Sequence, residues 1–524
     1  MDIYHSQLNP IFQNNGNINV KMRAILVDWL LEVSKLFKCR NKTFHLGIML
    51  LDRYLQLKVV DKDKLQCVGS ACLYIASVSE EIYHADIDDW IHIMADTYER
   101  SEFIYVVTNT LNTLEYKLYY DTYYDVLYKK FSDNKLEQFH LEFSNYLLTS
   151  LLISRRYLFF DKYQLADLLL SFSISFKESS MQFESLIKND YKYAYIFDQW
   201  KRIKDSVLGC IGIYKDIIIP NILYKLDENI EDILIKQIIP TQQLHNNNNL
   251  DLSGMVKIRK LGQGTYGKVN KCRLKNGIDV AIKYFKSNCD ELSSSFLREV
   301  NILIVLDHKN IVKMLHVSNL CIVLEIMDMN LDTFIKNNTI NNKRNYIKQI
   351  LDAVNYLHSM NIMHRDITSK NFLISGTTIK LCDFGMARKI GHFNNLAFTG
   401  LTCSFQFRPI EFIFWEHDRN YGYELDIWST GCVIGHILKG DYLFMGSTKS
   451  DIILDIVKTL GPPSDRELYY MIDNYYHMYN HEGCPDLEKK YPVEMQLIYK
   501  MLNYDKTKRI TLPQALQFWE QNIS

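Results

Sequence analysis

Three polar side chains in the stretch MHRDITSKNFLISGTTIKLCDFGMAR, residues 363–388, have the types and spacing needed at the floor of a phosphoryl-transfer site. Asp366 is followed five residues later by Asn371, and a second acid lies in Asp383-Phe384-Gly385. Apolar residues flank both acids, Phe372-Leu373-Ile374 on one side and Ile379 and Leu381 on the other. That pattern predicts two short strands holding oxygen donors at the bottom of a cleft. Phosphoryl transfer needs one carboxylate to orient the attacking hydroxyl and other oxygens to hold Mg²⁺ on the phosphates. Asp366 is the candidate base, and Asn371 and Asp383 are the candidate metal ligands.

Such a floor needs elements that bring the nucleotide to it. Val256 to Leu261 alternates as a strand would, and Gly262-Gln263-Gly264-Thr265-Tyr266-Gly267 follows, then Val269. Glycines let a hairpin fold tightly over phosphates where side chains would clash. A GxGxxG alone fits a dinucleotide fold as well, but that motif would run into a helix. Here the next segment is another strand, Val280-Ala281-Ile282-Lys283. Lys283 is the candidate for the α- and β-phosphates of ATP, and Glu299, on a predicted helix Leu292–Leu306, is the carboxylate to fix it. Adjacent helical residues diverge by about 100°. With Glu299 turned into the cleft, Arg298 points elsewhere, toward the segment that follows the floor. Leu320 to Met327 reads as a strand ending in an adenine-binding hinge at Glu325–Met327, with Leu324 guarding the pocket behind it. Leu261, Gly262, Gly264, Gly267, Val269, Ala281, Lys283, Glu325 and Met327 are the expected ATP-binding residues.

The chain has 524 residues, a length that suits about two to four domains. Its hydrophobic content of 47% supports a large core. A net charge of -1 argues against nucleic acid or an anionic membrane as partner. The 11 cysteines lack zinc-type pairing, Cys67 and Cys72 being the nearest pair, which fits a reducing intracellular compartment, cytoplasm or nucleus. The opening MDIYHSQLNP has neither the basic start nor the apolar core of a signal peptide. Leu147 to Ile153 is apolar, but Arg155 and Arg156 end it, so it reads as a buried helix.

The first half shows helical periodicity and almost no strand alternation. Ile25, Leu26, Trp29, Leu30, Val33, Leu36 and Phe37 are expected on one helix face. Further helices are predicted over Phe44–Leu57, Lys64–Val78, Ile87–Thr97 and Ser101–Leu114, making an all-α bundle. Tyr-rich apolar runs follow at Tyr123–Phe131, Glu137–Ile153, Lys162–Phe176 and Tyr191–Tyr214.

This half also resembles a family. Met22-Arg23-Ala24-Ile25-Leu26-Val27-Asp28-Trp29-Leu30 looks like the opening of a cyclin box. Thr43-Phe44-His45-Leu46, Leu51-Asp52-Arg53-Tyr54-Leu55, Lys64-Leu65-Gln66 and Glu80-Glu81-Ile82-Tyr83 continue the match in order. The resemblance implies a substrate-docking patch for Arg-x-Leu motifs at Met22, Ile25, Leu26, Trp29, Leu65 and Gln66, with Glu32 at its acidic edge; ordinary helix packing would use the same residues. Cyclins grip their kinase with a Lys and a Glu at positions that align with Val78 and Val107. Either the interface is rebuilt with apolar packing or it no longer depends on those contacts. Residues 121–225 are expected to form a second, degenerate cyclin-like repeat.

Residues 226–254 read as a linker, centred on IPTQQLHNNNNLDLSG. A flexible stretch of roughly 25 residues spans about 25–30 Å and holds the two halves at about millimolar effective concentration. Such a tether offsets weakened interface contacts.

Residues 255–520 resemble the eukaryotic protein kinases, and among them the cyclin-dependent kinases. His364-Arg365-Asp366 with Asn371 and Asp383-Phe384-Gly385 carry the likeness. So do Gly264-Thr265-Tyr266-Gly267, Ser293 to Glu299, and Asp426-Ile427-Trp428-Ser429-Thr430-Gly431-Cys432. Arg509 matches the late arginine that pairs with the activation-segment glutamate, here Glu411. Thr399 matches the activating phosphosite, with Arg298, Arg365 and Arg388 as its phosphate cradle. Thr265 and Tyr266 match inhibitory phosphosites, though Thr-Tyr also suits a β-turn. Two departures stand out. The lysine expected two residues after the catalytic Asp is Thr368, so either turnover is lowered or Lys370 reaches in. The usual Ala-Pro-Glu is Pro409-Ile410-Glu411, while Arg408 of the proline-accepting subsite is kept.

The expected architecture is α+β and multidomain: an all-α cyclin bundle, residues 1–120 with 121–225, then a bilobal kinase fold with a β-rich N-lobe and an α-rich C-lobe. The resemblance implies a serine/threonine kinase using ATP and Mg²⁺, activated by its own cyclin half through an intramolecular contact. Its substrates would be proteins with Ser or Thr, with or without a following Pro. A host cyclin or cyclin-dependent kinase is the alternative partner. A weak or inactive pseudokinase that titrates such partners is the alternative function.

Overall fold

The computed structural model describes residues 18–81, 83–118, 121–153, 157, 160–178, 192–193, 196–197, 252, 254–263, 267–285, 294–318, 321–338, 340, 342–389, 405–414, 421–461, 463 and 483–523. Gly264, Thr265, Tyr266, Thr399, linker residues 226–251 and most of the Tyr191–Tyr214 run lie outside them. The chain divides into two compact units, one helical and one mixed.

The helical unit contains α1 Val20–Leu36, α2 Asn41–Leu57, α3 Leu65–Glu80, α4 Ile87–Ile93, α5 Arg100–Thr113, α6 Tyr123–Asp133, α7 Gln138–Ile153 and α8 Lys162–Glu178. Their starts follow from local chemistry. Asn19 accepts the Met22 N–H at 2.9 Å and caps α1. Capping boxes of Asp86 with Asp89, and of Thr122 with Asp125, open α4 and α6. The expected Ile87–Thr97 helix is shorter than its apolar pattern, because Ala95 and Asp96 turn to positive φ, 58° and 52°.

Helix α3 is apolar on nearly every side and accordingly lies buried among its neighbours. At Gly69 a Cβ would stand 2.8 Å from Leu26, so glycine lets α1 press against α3. The single apolar face expected for α1 is split in two. Leu26, Val27, Leu30 and Val33 are buried, whereas Ile25 is 56% and Leu36 62% exposed. Residues 25, 29 and 36 share one side at 3.6 residues per turn, off the packed side.

Two buried polar links tie α1 and α2 to the later helices. Arg23 donates to both carboxylate oxygens of Asp52, at 2.5 and 2.6 Å, and to the carbonyls of Leu152 and Ile153 at 2.9 and 3.1 Å. Tyr157 O–H donates to Asp52 at 2.6 Å. His45 Nε2 meets Asn145 Oδ1 at 3.1 Å.

The second unit opens with a five-stranded antiparallel sheet, β1 Val256–Gln263, β2 Gly267–Arg273, β3 Asp279–Phe285, β4 Met314–Ser318 and β5 Cys321–Glu325, in the order β1-β2-β3-β5-β4. One face packs Cys272, Leu274, Val280, Ile282, Cys321 and Val323 under Leu252 and Met255. At Gly267 a Cβ would lie 2.0 Å from the Tyr284 carbonyl, so only glycine fits where β2 starts. Helix α9, Ser294–Leu303, is inserted between β3 and β4.

The remainder is mostly helical: α10 Leu331–Asn337, α11 Lys343–Ser359, α12 Ile410–Phe414, α13 Glu424–Lys439, α14 Lys449–Leu460, α15 Pro485–Lys490, α16 Pro492–Met501 and α17 Leu512–Ile523. The buried helix α13 is its axis and ends on Gly440 at φ 85°. Short strands β6 Met329–Asn330, β8 Phe372–Ser375 and β9 Thr378–Leu381 form one ribbon, and β7 Ile362–Met363 pairs with β10 Arg388–Lys389. The two strands expected around the acids are therefore β8 and β9. Among the described residues no helix is long and apolar enough to cross a membrane.

Candidate active site

A cleft of about 520 Å³ separates the sheet from the helical part of the second unit. Its walls include Leu261, Gly262, Gly267, Val269, Ala281, Leu324, Glu325 and Met327 from the sheet side, with Leu373, Asn371 and Asp383 below. The apolar slot formed by Leu261, Val269, Ala281 and Leu373 has the character of a site for a flat ring with polar groups at one end. The Glu325 carboxylate turns onto Lys380, at 2.7 and 2.9 Å, and accepts the Lys313 N–H at 2.7 Å.

Strand register places Lys283. It stands opposite Val269 on β2 and Ile322 on β5, in the middle of the sheet. Its ammonium donates to Glu299 Oε2 at 2.5 Å and to Asp383 Oδ1 at 2.8 Å. Three residues far apart in sequence thus meet on one charge. Burial opposes that charge, but Glu299 and Asp383 hold Lys283 protonated above its ordinary range. Burial, opposed in part by Lys283 and helped by the nearby Asp383, leaves the Glu299 carboxyl raised to about 7. Asp383 is buried as well, yet Lys283 keeps its carboxyl below the usual carboxylate range.

Asp366 and Asn371 sit on the loop between β7 and β8. The Asn371 amide nitrogen donates to Asp366 Oδ2 and to the Asp366 carbonyl, both at 2.8 Å. With its nitrogen so occupied, the Asn371 Oδ1 is left to face a cation. Asp383 adopts left-handed φ 63°, ψ 71°, a conformation that aspartate tolerates and that turns the chain before Phe384. A carboxylate and an amide oxygen form a hard-oxygen donor set that suits Mg²⁺. Burial raises the Asp366 carboxyl, offset by His364 and the Asn371 hydrogen bond, which moves it toward the working range of a general base.

Asp426 of α13 holds this loop in place. It accepts the backbone N–H groups of His364 and Arg365 at 2.8 and 2.9 Å, and meets His358 Nε2 at 3.1 Å. Arg365 itself lies at φ 69°. The Asp366 N–H donates to His364 Nδ1 at 3.3 Å, which leaves Nε2–H to donate to the Cys382 carbonyl at 3.1 Å. The charge bonding of Asp426 was missed in the sequence, where its one signal was an acid inside an apolar helix run. Ser369 was also missed: its hydroxyl meets His436 Nδ1 at 2.8 Å.

Arg365 donates to Tyr421 O–H at 2.5 Å and to the Met386 carbonyl at 3.3 Å. Arg388 on β10 lies opposite Met363 on β7, two residues before Arg365, and Arg298 is on α9. Glu411 is clamped by Arg509, Nη1 to Oε1 and Nη2 to Oε2 both at 2.7 Å. The Arg408 guanidinium lies 4.6 Å over the Phe405 ring. Thr368 is buried at 5%.

In the helical unit Leu26 and Leu65 are buried at 6% and 5%. Met22, Trp29 and Gln66 are half-buried, and Ile25 and Glu32 exposed. Val78 and Val107, at 0% and 2%, are buried too.

These observations meet independent likenesses. Residues 255–519 match the protein kinase domain family, and residues 3–119 match the cyclin N-terminal domain family. The chain is similar to "Putative serine/threonine-protein kinase L268" of Acanthamoeba polyphaga mimivirus, 31% identical over 97% of this chain and 98% of the relative. It is 30% identical to "Putative serine/threonine-protein kinase L673" of the same virus, over 95% of this chain and 97% of the relative. "Cyclin-dependent kinase-like 5" of Homo sapiens is 32% identical over 51% of this chain and 29% of its own length. The chain belongs to the protein kinase family and carries a cyclin N-terminal domain on the same polypeptide.

Proposed function

We propose that this protein transfers the γ-phosphoryl group of ATP to serine or threonine hydroxyls of other proteins, in the manner of a cyclin-dependent kinase, and that its cyclin half activates it in cis. The observation that carries the reading is Lys283 held between Glu299 and Asp383, in the cleft that Asn371 also lines, with Asp366 bonded to Asn371. Lys283 binds the nucleotide phosphates. Asp366 accepts the proton of the attacking hydroxyl. Asn371 and Asp383 would hold Mg²⁺, which would screen the charge of the phosphates.

Activation in cis is supported by the linker, whose roughly 25 residues hold the two halves at about millimolar effective concentration. It is also supported by relatives that are similar along their whole length, cyclin region included. Thr399 phosphorylation, cradled by Arg298, Arg365 and Arg388, is the proposed second switch, and Thr265 and Tyr266 are proposed inhibitory sites. The exposed side of α1, with Ile25, Trp29 and Glu32, is proposed to dock Arg-x-Leu segments of substrates.

The test is transfer of labelled phosphate from ATP to a serine peptide by the full chain and by Asp383→Asn. Equal silence of the two sinks the kinase reading in favour of a partner-titrating pseudokinase. A protease site placed in the linker tests the cis model, because cutting it should lower activity at nanomolar protein and spare it at high concentration. Unchanged activity after cutting, at every dilution, removes that model.

A further inference from the structure

We propose that Lys370 supplies the positive charge that neutralises the transferring phosphoryl group, so that the catalytic loop carries its cation beside Asn371 rather than at position 368. The role rests on the kinase reading above. Charge accounting in the cleft motivates it. Four acids line the cleft among the described residues, Glu299, Glu325, Asp328 and Asp383, and Asp366 adjoins them through its bond to Asn371; the one buried cation of that lining, Lys283, is engaged by Glu299 and Asp383. In the transition state negative charge is spread over the transferred oxygens, and a fixed cation there is worth more than in water.

Thr368 does not meet that need. Its side chain is uncharged and buried at 5%, and its carbonyl accepts the Asn371 N–H at 3.0 Å. Ser369 is fully buried and pinned from below. Its hydroxyl meets His436 at 2.8 Å and its carbonyl accepts the Asp332 N–H at 3.1 Å. With position 369 held in the helical part, the next residue emerges on the cleft side. Lys370 is exposed and lines the cleft with Asn371 and Asp383. It takes part in no hydrogen bond or ion pair among the described residues. Its four-carbon stem is one residue from Asn371, whose amide touches Asp366 at 2.8 Å. An unpaired ammonium beside the base and the metal ligand is available to the phosphoryl group.

The experiment uses the full-length protein with Mg-ATP and two peptides. One carries a serine without acidic neighbours, and the other has an aspartate two residues before that serine. Lys370→Met should lower kcat by about 10–100-fold on both peptides, with KM for ATP and peptide within about twofold. Its thermal stabilisation by Mg-ATP should match wild type. Thr368→Lys introduced into Lys370→Met should restore most of the lost kcat, and Lys370→Arg should retain it. A Lys370→Met enzyme with wild-type kcat, whose KM rises only for the aspartate peptide, overturns the proposal and makes Lys370 a substrate-selecting residue. A lost kcat that Thr368→Lys leaves unrestored overturns it as well. Silence of the wild type itself overturns the kinase reading and this role together, whereas an active wild type matched by Lys370→Met overturns this role alone.

Discussion

Lys283 and Glu299 form a buried ion pair of 2.5 Å across β3 and α9, and both side chains are nearly inaccessible. A carboxyl pushed up to about 7 takes a proton just below neutral pH. As it does so, it releases Lys283. The kcat/KM for ATP should therefore fall on the acid side of about pH 7. In Glu299→Gln that limb should be missing and activity should be about 100-fold lower throughout. Stability runs the other way. A folded-state value raised from 4.5 means that the folded chain takes up a proton as pH falls toward 4.5, so this group favours the fold at lower pH. A pH–rate profile of wild type against Glu299→Gln checks it; superimposable acid limbs would remove Glu299 from the explanation.

Arg509→Ala should strongly destabilise the second unit. The pair with Glu411 is bidentate, and the two side chains are 0% and 10% exposed. Removing one partner leaves a buried charge uncompensated, at a cost of about 3–5 kcal/mol. Chemical denaturation should show this as an earlier transition. A change below about 1 kcal/mol would mean that solvent reaches Glu411.

Acid should weaken the helical unit through His45. Burial drops this imidazole to about 4, with the Asn145 hydrogen bond opposing only in part. The folded state then binds fewer protons than the unfolded one between about 6.5 and 4, so stability is complete above 6.5 and declines as pH falls. The loss approaches about 3 kcal/mol at the acid end. His45→Gln should flatten that slope in a pH series of unfolding midpoints, and an unchanged slope would assign it to other groups.

Ile25→Ala with Trp29→Ala should raise KM about fivefold to tenfold for an Arg-x-Leu-tagged peptide and leave KM for the untagged peptide alone. Ile25 is 56% exposed, so its truncation opens no core cavity. Equal KM changes for both peptides would argue against a docking role.

The sequence by itself determined the two-part architecture, the helix sites and the candidate catalytic set. Each of these is a local pattern. Helical and strand periodicity is written within ten or so residues, and Asp366, Asn371 and Asp383 lie in one short stretch whose flanking apolar residues become β8 and β9. Caps such as Asn19 and the Asp86–Asp89 box are equally local. Tertiary structure decided what local pattern leaves free. It chose which apolar residues of α1 enter the core, burying Leu26 against Gly69 and leaving Ile25 outside, although both fit the same periodicity. It brought Asp426 from α13 to the backbone of His364 and Arg365, and Arg23 to the carbonyls of Leu152 and Ile153. It also placed Lys370 in the lining of the cleft and buried Thr368. Partners separated by 61 to 130 residues leave no periodic trace, and a loop side chain takes its direction from what pins its neighbours. Here the pin is the Ser369–His436 contact, which only the folded chain contains.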